Sequence, residues 1–310
     1  MMKKREIIIG KKILQLPCFF ASVSSVKTSF SPADYVEFLE AFGYPSYLVS
    51  AYDVINSKPS LNKFNNIKIQ FKEERDSVIL LDSGNYEAYW LRDSEWNSKS
   101  YDEALKIVAP DMFLSFDSAW NNIQADSNSL IDNSAIFNNS IPIVHGNPVD
   151  MASKVIDLAT SNDGKMIAIP ERELGDGIIQ RAKTLTDIRT KLDDMGIFLP
   201  LHLLGTGNPL SILLYSACGA DSFDGLEWCQ TAVNPQNNHL IHFSQRDMIE
   251  CDCPACNAGE DSYSATTLGH NLLYYLEWMD TIQNYLKKDQ ITSLLESFVS
   301  NKVMAEIGLV

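Results

Sequence analysis

Leu201-His202-Leu203-Leu204-Gly205-Thr206-Gly207-Asn208-Pro209 continues through Leu210–Cys218 into Gly219-Ala220-Asp221-Ser222-Phe223-Asp224-Gly225. A short apolar strand gives way to a turn, and Asn208 then supplies a side-chain oxygen for a helix whose first turn tolerates Pro209. Gly219 offers the left-handed stop, and a second short strand follows. Strand, helix and strand within one such span form a βαβ unit, which requires a parallel sheet.

The pattern repeats outward from this unit. Leu16–Val23, Tyr47–Ser50, Val78–Asp82, Met112–Asp117, Ile141–His145, Met166–Pro170, Leu201–Leu204 and Asp221–Asp224 all read as strands. Ser31-Pro32 precedes a helix over Ala33–Phe42 that Gly43 ends, and Asn147-Pro148 precedes one over Val149–Thr160. Asn56–Asp76 and Asn121–Ser140 are polar, Asn-rich and longer than ordinary connections, so they are expected near the functional face. Eight strands alternating with helices predict an α/β fold, a (β/α)8 TIM barrel. One barrel domain is expected over residues 1–310, with a zinc-binding subdomain at about 226–275 after strand eight and C-terminal helices to 310.

With 310 residues, 45% of them hydrophobic, the chain can bury one large core. Its 25 Lys and Arg against 40 Asp and Glu give a net charge of −15, which argues against a general nucleic-acid coat. Lys3, Lys4, Arg5, Lys11 and Lys12 form the densest basic strip, most simply read as a solvated terminus. Gln15 and Pro17 interrupt the apolar run Ile13–Ala21, so neither a signal peptide nor a membrane span is expected. Three of the six cysteines crowd together at Cys251, Cys253 and Cys256, which suits one metal better than disulfides and implies a reducing, cytoplasmic setting.

In such barrels chemistry resides at the carboxyl ends of the strands. Asp82, Asp117 and Asp224 end strands three, four and eight, while His145 ends strand five and Glu171 follows strand six. A cap or loop anchor would explain any one of these acids alone. Three at one rim suit glycosidic chemistry, in which one carboxylate attacks an anomeric carbon and another moves the leaving group's proton. Asp221 competes with Asp224, but side chains three apart on a strand face opposite ways and Asp224 lies at the strand's end.

Cys251-Asp252-Cys253-Pro254-Ala255-Cys256, followed after thirteen residues by His270 at the head of the helical run Asn271–Tyr285, supplies four ligands for tetrahedral zinc. Four protein ligands leave no open position, so this Zn2+ is expected to be structural. His239 and His242 are the alternatives to His270.

Together these motifs resemble the tRNA-guanine transglycosylases, the queuine and archaeosine tRNA-ribosyltransferases. The matching pieces, in the family's order, are Asp82-Ser83-Gly84, Phe116-Asp117, His202-Leu203-Leu204-Gly205-Thr206-Gly207-Asn208-Pro209, Asp221-Ser222-Phe223-Asp224, the cysteine cluster and His270-Asn271-Leu272. The resemblance implies exchange of guanine for a 7-deazaguanine base in tRNA or DNA. By position, Asp224 corresponds to the nucleophile, Asp82 to the general acid and base, and Asp117 to the carboxylate that reads guanine. Ser83, Gly84, His145, Glu171, Gly205 and Gly207 correspond to further substrate-binding positions.

Departures from the pattern bear on the substrate. Asn85-Tyr86-Glu87 stands where the family has a second glycine, an aromatic residue and glutamine. His145-Gly146 replaces a base-reading glutamine, and Pro170-Glu171-Arg172-Glu173 replaces a glycine-rich turn. Gly225-Leu226-Glu227-Trp228-Cys229-Gln230 lacks the arginine with which bacterial members grip the anticodon loop. A divergent member, with relatives acting on DNA as candidates, is therefore expected, in which a homodimer or partner subunit completes the nucleic-acid footprint. A non-catalytic subunit and a glycosidic-bond hydrolase on the same barrel are the alternatives.

Overall fold

A computed structural model describes residues 5–56, 76–116, 139–161, 164–258 and 262–309. An antiparallel hairpin, β1 (Glu6–Ile9) and β2 (Lys12–Gln15), leads into β3 (Cys18–Val23), α1 (Pro32–Phe42), β4 (Ser46–Ser50), α2 (Ala51–Asn56) and β5 (Val78–Asp82). Then come α3 (Asn85–Leu91), α4 (Ser98–Val108), β6 (Met112–Leu114), β7 (Ser140–Ile141), α5 (Met151–Ser161) and β8 (Ile167–Pro170). After the 3-10 turn Glu171–Leu174 follow α6 (Ile178–Asp194), β9 (Leu201–Leu204), α7 (Pro209–Ala217) and β10 (Ser222–Gly225).

Strands β3 to β10 form one parallel sheet of eight, in the order β7-β6-β5-β4-β3-β10-β9-β8. A parallel bridge between Ile143 and Ala168 closes it, with the Val144 N–H donating to the Ala168 carbonyl at 2.9 Å. This is the expected TIM-type barrel. Proline sets two of the strand limits differently from the sequence reading. Pro17 and Pro142 have no N–H for a ladder, so β3 starts at Cys18 and β7 stops at Ile141.

Closure divides each strand by parity. Phe20, Leu48, Leu80, Leu114 and Ala168 point inward, whereas Phe19, Val49, Leu81, Ile169 and Leu203 point outward against the helices. The hairpin was not foreseen: its Ile7, Ile9 and Leu14 join the inward cluster with Val78 and Met112 at the strand starts, plugging the barrel's amino-terminal end. Of the basic strip, Lys12 takes on a structural role, while Lys11 is exposed. Lys12 Nζ donates to the Ser77 carbonyl at 2.5 Å and to Asp111 at 2.9 Å. Lys3 and Lys4 lie outside the described residues, as do most of Asn56–Asp76, Asn121–Ser140 and Asp117 itself.

The helix stops and caps are partly as expected. Ser31 and Asn208 cap α1 and α7, and Gly43 ends α1 in the left-handed conformation. Asn147-Pro148 instead builds a turn, in which Asn147 Oδ1 accepts from the Val149 N–H, and the helix begins two residues later at Met151. After β10 come α8 (Glu227–Gln230), the hairpin β11 (Thr231–Asn234) and β12 (His239–His242), α9 (Pro254–Asn257), α10 (Tyr263–Lys287), α11 (Ile291–Glu296) and α12 (Asn301–Glu306). None of the described helices is long and apolar enough to cross a membrane.

Asp221 lies at the amino-terminal end of β10 and joins it to α6. Its Oδ2 accepts from Arg189 Nη2 at 2.5 Å and from the Leu201 N–H at 3.0 Å, while Arg189 also donates to the Gly219 carbonyl. Asp221→Ala should therefore cost about 3–5 kcal/mol in urea unfolding, because it strands a buried guanidinium. A loss below about 1 kcal/mol would show that the pair does not tie the barrel together.

Candidate functional site

Side chains of inward parity at the carboxyl ends of the strands face a cavity of about 480 Å3. Asp82 has the parity of Leu80, and Asp224 that of the inward-facing Ser222. Both line the cavity. Asp221, at odd spacing, is directed to Arg189 instead.

Asp224 is held from several directions. Its Oδ2 accepts from Ser22 Oγ at 2.8 Å, and its Oδ1 accepts from the Gly205 N–H at 2.9 Å and lies 3.4 Å from His202 Nε2. His202 is wholly buried, and its Nδ1 lies 2.8 Å from Ser222 Oγ. Two inward residues of β9 and β10 thus brace a third. Gly205 has φ 74°, a left-handed conformation that turns its N–H to the carboxylate at little steric cost.

Asp82 Oδ2 accepts from the Gly84 N–H at 3.0 Å, an acid-turn contact that starts α3. A β-carbon on Gly84 would lie 2.5 Å from the Tyr52 backbone nitrogen, so no other residue fits there. One turn on, Glu87 is 3% exposed and accepts from Ser24 Oγ at 2.5 Å and from Ser50 Oγ at 2.6 Å. Burial, helped by the neighbouring charges of Asp53 and Asp82, pushes its carboxyl up to about 8. Burial thus biases Glu87 toward its protonated, neutral form.

Glu227 is a second acid of this kind. Burial, with Asp224 and Glu171 adding like charge, pushes it up to about 7 against hydrogen bonds from its own N–H and that of Gly207. Its carboxyl fills the space that glycines leave. A β-carbon on Gly207 would lie 1.9 Å from Glu227 Oε2, and one on Gly225 2.2 Å.

After β8, Glu171 accepts from Arg181 at 2.6 Å and from the Tyr215 hydroxyl at 2.7 Å, and Arg172 stands beside it in the lining. Glu173 clasps His145 Nδ1 and the Gly146 N–H, each at 2.9 Å.

Of the positions singled out from sequence, Asp82, Asp224, Ser83, Glu171 and Gly205 line the cavity together. Gly84, His145 and Gly207 are not in the lining: Gly84 donates to Asp82, Gly207 lies against Glu227 and His145 pairs with Glu173, while Asp117 lies outside the described residues. Ser22, His202, Glu87 and Glu227 were not singled out. Parity with Phe20 and Leu204 would have pointed to Ser22 and His202, whereas nothing local marks Glu227.

Beyond β10, Cys251, Cys253, Cys256 and His270 bring their ligand atoms within 4.8 Å of one another. Cys253 Sγ lies 3.3 Å from Cys256 Sγ, and His270 Nδ1 lies 3.6 Å and 3.4 Å from those two sulfurs. An ion bound at about 2.3 Å from sulfur and about 2.0 Å from nitrogen sets edges of roughly 3.5–3.8 Å, so the group can hold a metal such as zinc. His270 Nε2 lies 2.8 Å from the Val233 carbonyl, which makes it the N–H donor and leaves Nδ1 for the metal. His239 and His242 are exposed, and His242 Nδ1 pairs with Ser244. His270 does not head its helix, as its spacing suggested, but lies about two turns into α10, which starts at Tyr263 after the Ser262 cap.

Carboxyls raised by burial destabilise the fold as they ionise. The stability Glu87 contributes is complete below its ordinary value of 4.5 and is lost as pH rises through about 8. Thermal midpoints are therefore expected to fall between pH 5 and 8, and Glu87→Gln should flatten that decline and leave the midpoint higher at pH 8. An unchanged pH profile in the variant would contradict the assignment.

No protein-family model matches the chain. A tRNA-guanine(15) transglycosylase of Methanococcus maripaludis is 28% identical over 112 residues, 31% of this chain and 17% of that protein. The enzymes of the same name from Methanococcus vannielii and Methanosarcina mazei are 29% and 28% identical, again over 31% of this chain. The chain thus matches less than a quarter of the length of these relatives, a partial similarity to transglycosylases that act on guanine.

Proposed function

We propose that the protein is a transglycosylase that exchanges guanine for a 7-deazaguanine-type base in tRNA or DNA. The observation that carries this reading is the pairing of Asp224 and Asp82 on one cavity, with Asp224 held by Ser22 and Gly205. The partial similarity to guanine transglycosylases supports it. A cavity of about 480 Å3 falls within the range of about 300–1,000 Å3 usual for small-ligand sites.

In this mechanism the target nucleotide leaves its stack and enters the cavity. An Asp224 oxygen attacks C1′, forming the C1′–O bond as the C1′–N9 bond breaks, and Asp82 in its acid form gives its proton to the departing guanine. The incoming base then loses its N9 proton to Asp82, attacks C1′ and releases Asp224. Two inversions retain the configuration. Fixed donors on Asp224 hold the attacking oxygen in place before reaction. Asp117 would read the guanine N1–H and amine.

Zinc is the ion proposed for the cysteine and histidine group, in a structural role, since the four ligands leave no open position. Those thiols favour a reducing, cytoplasmic compartment. The acid excess favours a partner subunit as the source of further positive charge, or a second copy whose surface completes the nucleic-acid footprint.

Labelled guanine should enter bulk tRNA, or single-stranded or duplex DNA, when incubated with the protein. Release of guanine without incorporation would favour hydrolysis instead. Asp224→Asn should abolish a denaturant-stable adduct while preserving fold and metal content. An adduct that persists in Asp224→Asn would overturn the nucleophile and move the role to Asp82. Elemental analysis should find about one zinc per chain, and Cys253→Ser should lower stability more than it changes the chemistry of the folded remainder. Metal-free protein of unchanged stability would rule out the zinc assignment.

A further inference from the structure

Helix α3 is inside out. Its buried residues are Asn85, Glu87 and Ala88, while Tyr89, Trp90 and Leu91 are 61%, 46% and 53% exposed. An amphipathic helix ordinarily turns its apolar stripe to the core. Three consecutive large apolar residues at the surface, next to a cavity, mark a place where something else binds.

The patch is continuous with the candidate site. Tyr86 belongs to the cavity lining, and its ring centroid lies 6.3 Å from that of Trp90. Tyr89 meets Trp90 edge-on at 5.7 Å. Lys27, also in the lining, places its Nζ 4.0 Å from the Trp90 ring centroid. Its backbone has φ 56°, uncommon for a side-chain-bearing residue, and Gln230 Nε2 donates to its carbonyl at 3.2 Å. The loop thus accepts local strain to aim one ammonium at the junction of cavity and aromatic surface.

We propose that Trp90 and Tyr89, with Lys27 between them and the cavity, form a stacking platform for the unpaired nucleotides that flank the base entering the pocket. This rests on the reading of the cavity as a nucleic-acid base site. A chain of net charge −15 draws little affinity from a phosphate-tracking groove. Stacking on aromatic faces needs no such groove, and one lysine beside the ring supplies a local phosphate contact. Unpaired RNA and unpaired DNA offer the same faces and phosphates, so both are candidate ligands.

The test is fluorescence anisotropy with labelled seven-nucleotide RNA and DNA strands carrying a central guanine, and a duplex of the same sequence. The intact protein should bind at least one single strand better than the duplex. Trp90→Ala should weaken that binding about tenfold or more, and Trp90→Phe, which keeps an aromatic face, by only about two- to threefold. Lys27→Gln should weaken it and lower the salt slope by about 0.7. Because Trp90 is exposed, its variants should keep the parent's thermal midpoint. Absence of single-strand binding, or equal affinity in Trp90→Ala, would overturn the platform. Calorimetry with free guanine separates the two ideas: failure of guanine to bind the intact protein counts against the cavity reading, whereas intact guanine binding with no effect of Trp90→Ala on the strands counts against the platform alone. Preference for one polymer identifies which it accepts.

Discussion

Once the parallel sheet closes on itself, alternate residues of every strand can only enter the barrel or meet the helices, and the rest of the structure follows from that division. Interior positions are filled from below by Ile7, Ile9 and Leu14 of the hairpin and midway by Phe20, Leu48 and Leu80. Polar residues of the same parity gather toward the carboxyl ends, where Ser22, Ser50, Asp82 and Asp224 stand, with His202 and Ser222 buried one layer below Asp224. One short segment therefore sends Asp221 to a structural arginine and Asp224 to the cavity.

Gathering so many acids in one mouth is costly unless some stay neutral or find donors. Both solutions are used. Asp224 is met by a hydroxyl and a backbone N–H, and Asp82 by the Gly84 N–H. Glu87 and Glu227 are pushed toward their protonated forms, because burial outweighs the hydrogen bonds that favour their charged forms. Gly207 and Gly225 are small because the Glu227 carboxyl occupies the volume beside them.

Within the appendage after β10, two consecutive residues of α10 tie the helix to the hairpin and α8. His270 Nε2 bonds the Val233 carbonyl, and Asn271 Oδ1 accepts from the Val233 N–H while its amide donates to Trp228 and Thr231. Trp228 in turn donates to the Ser22 carbonyl in β3. A metal holding His270 Nδ1 would thereby brace the strand that carries Ser22, one of the donors to Asp224.

The sequence by itself determined the eight strands, the caps at Ser31 and Asn208, the acids at the strand ends and the grouping of three cysteines with His270. These depend on period, turn chemistry and short spacing, which are local properties. It misplaced the start of α10, because Thr266, Thr267 and Gly269 are weak helix formers, yet all three lie inside the helix that Ser262 caps. Only the tertiary structure decided that the amino-terminal hairpin plugs the barrel, that Ser22 and Gly205 hold Asp224, that Glu227 lies against two glycines and that Lys27 reaches Trp90. Each joins residues distant in the chain, and the shift in a carboxyl's affinity for protons depends on burial that no local pattern encodes.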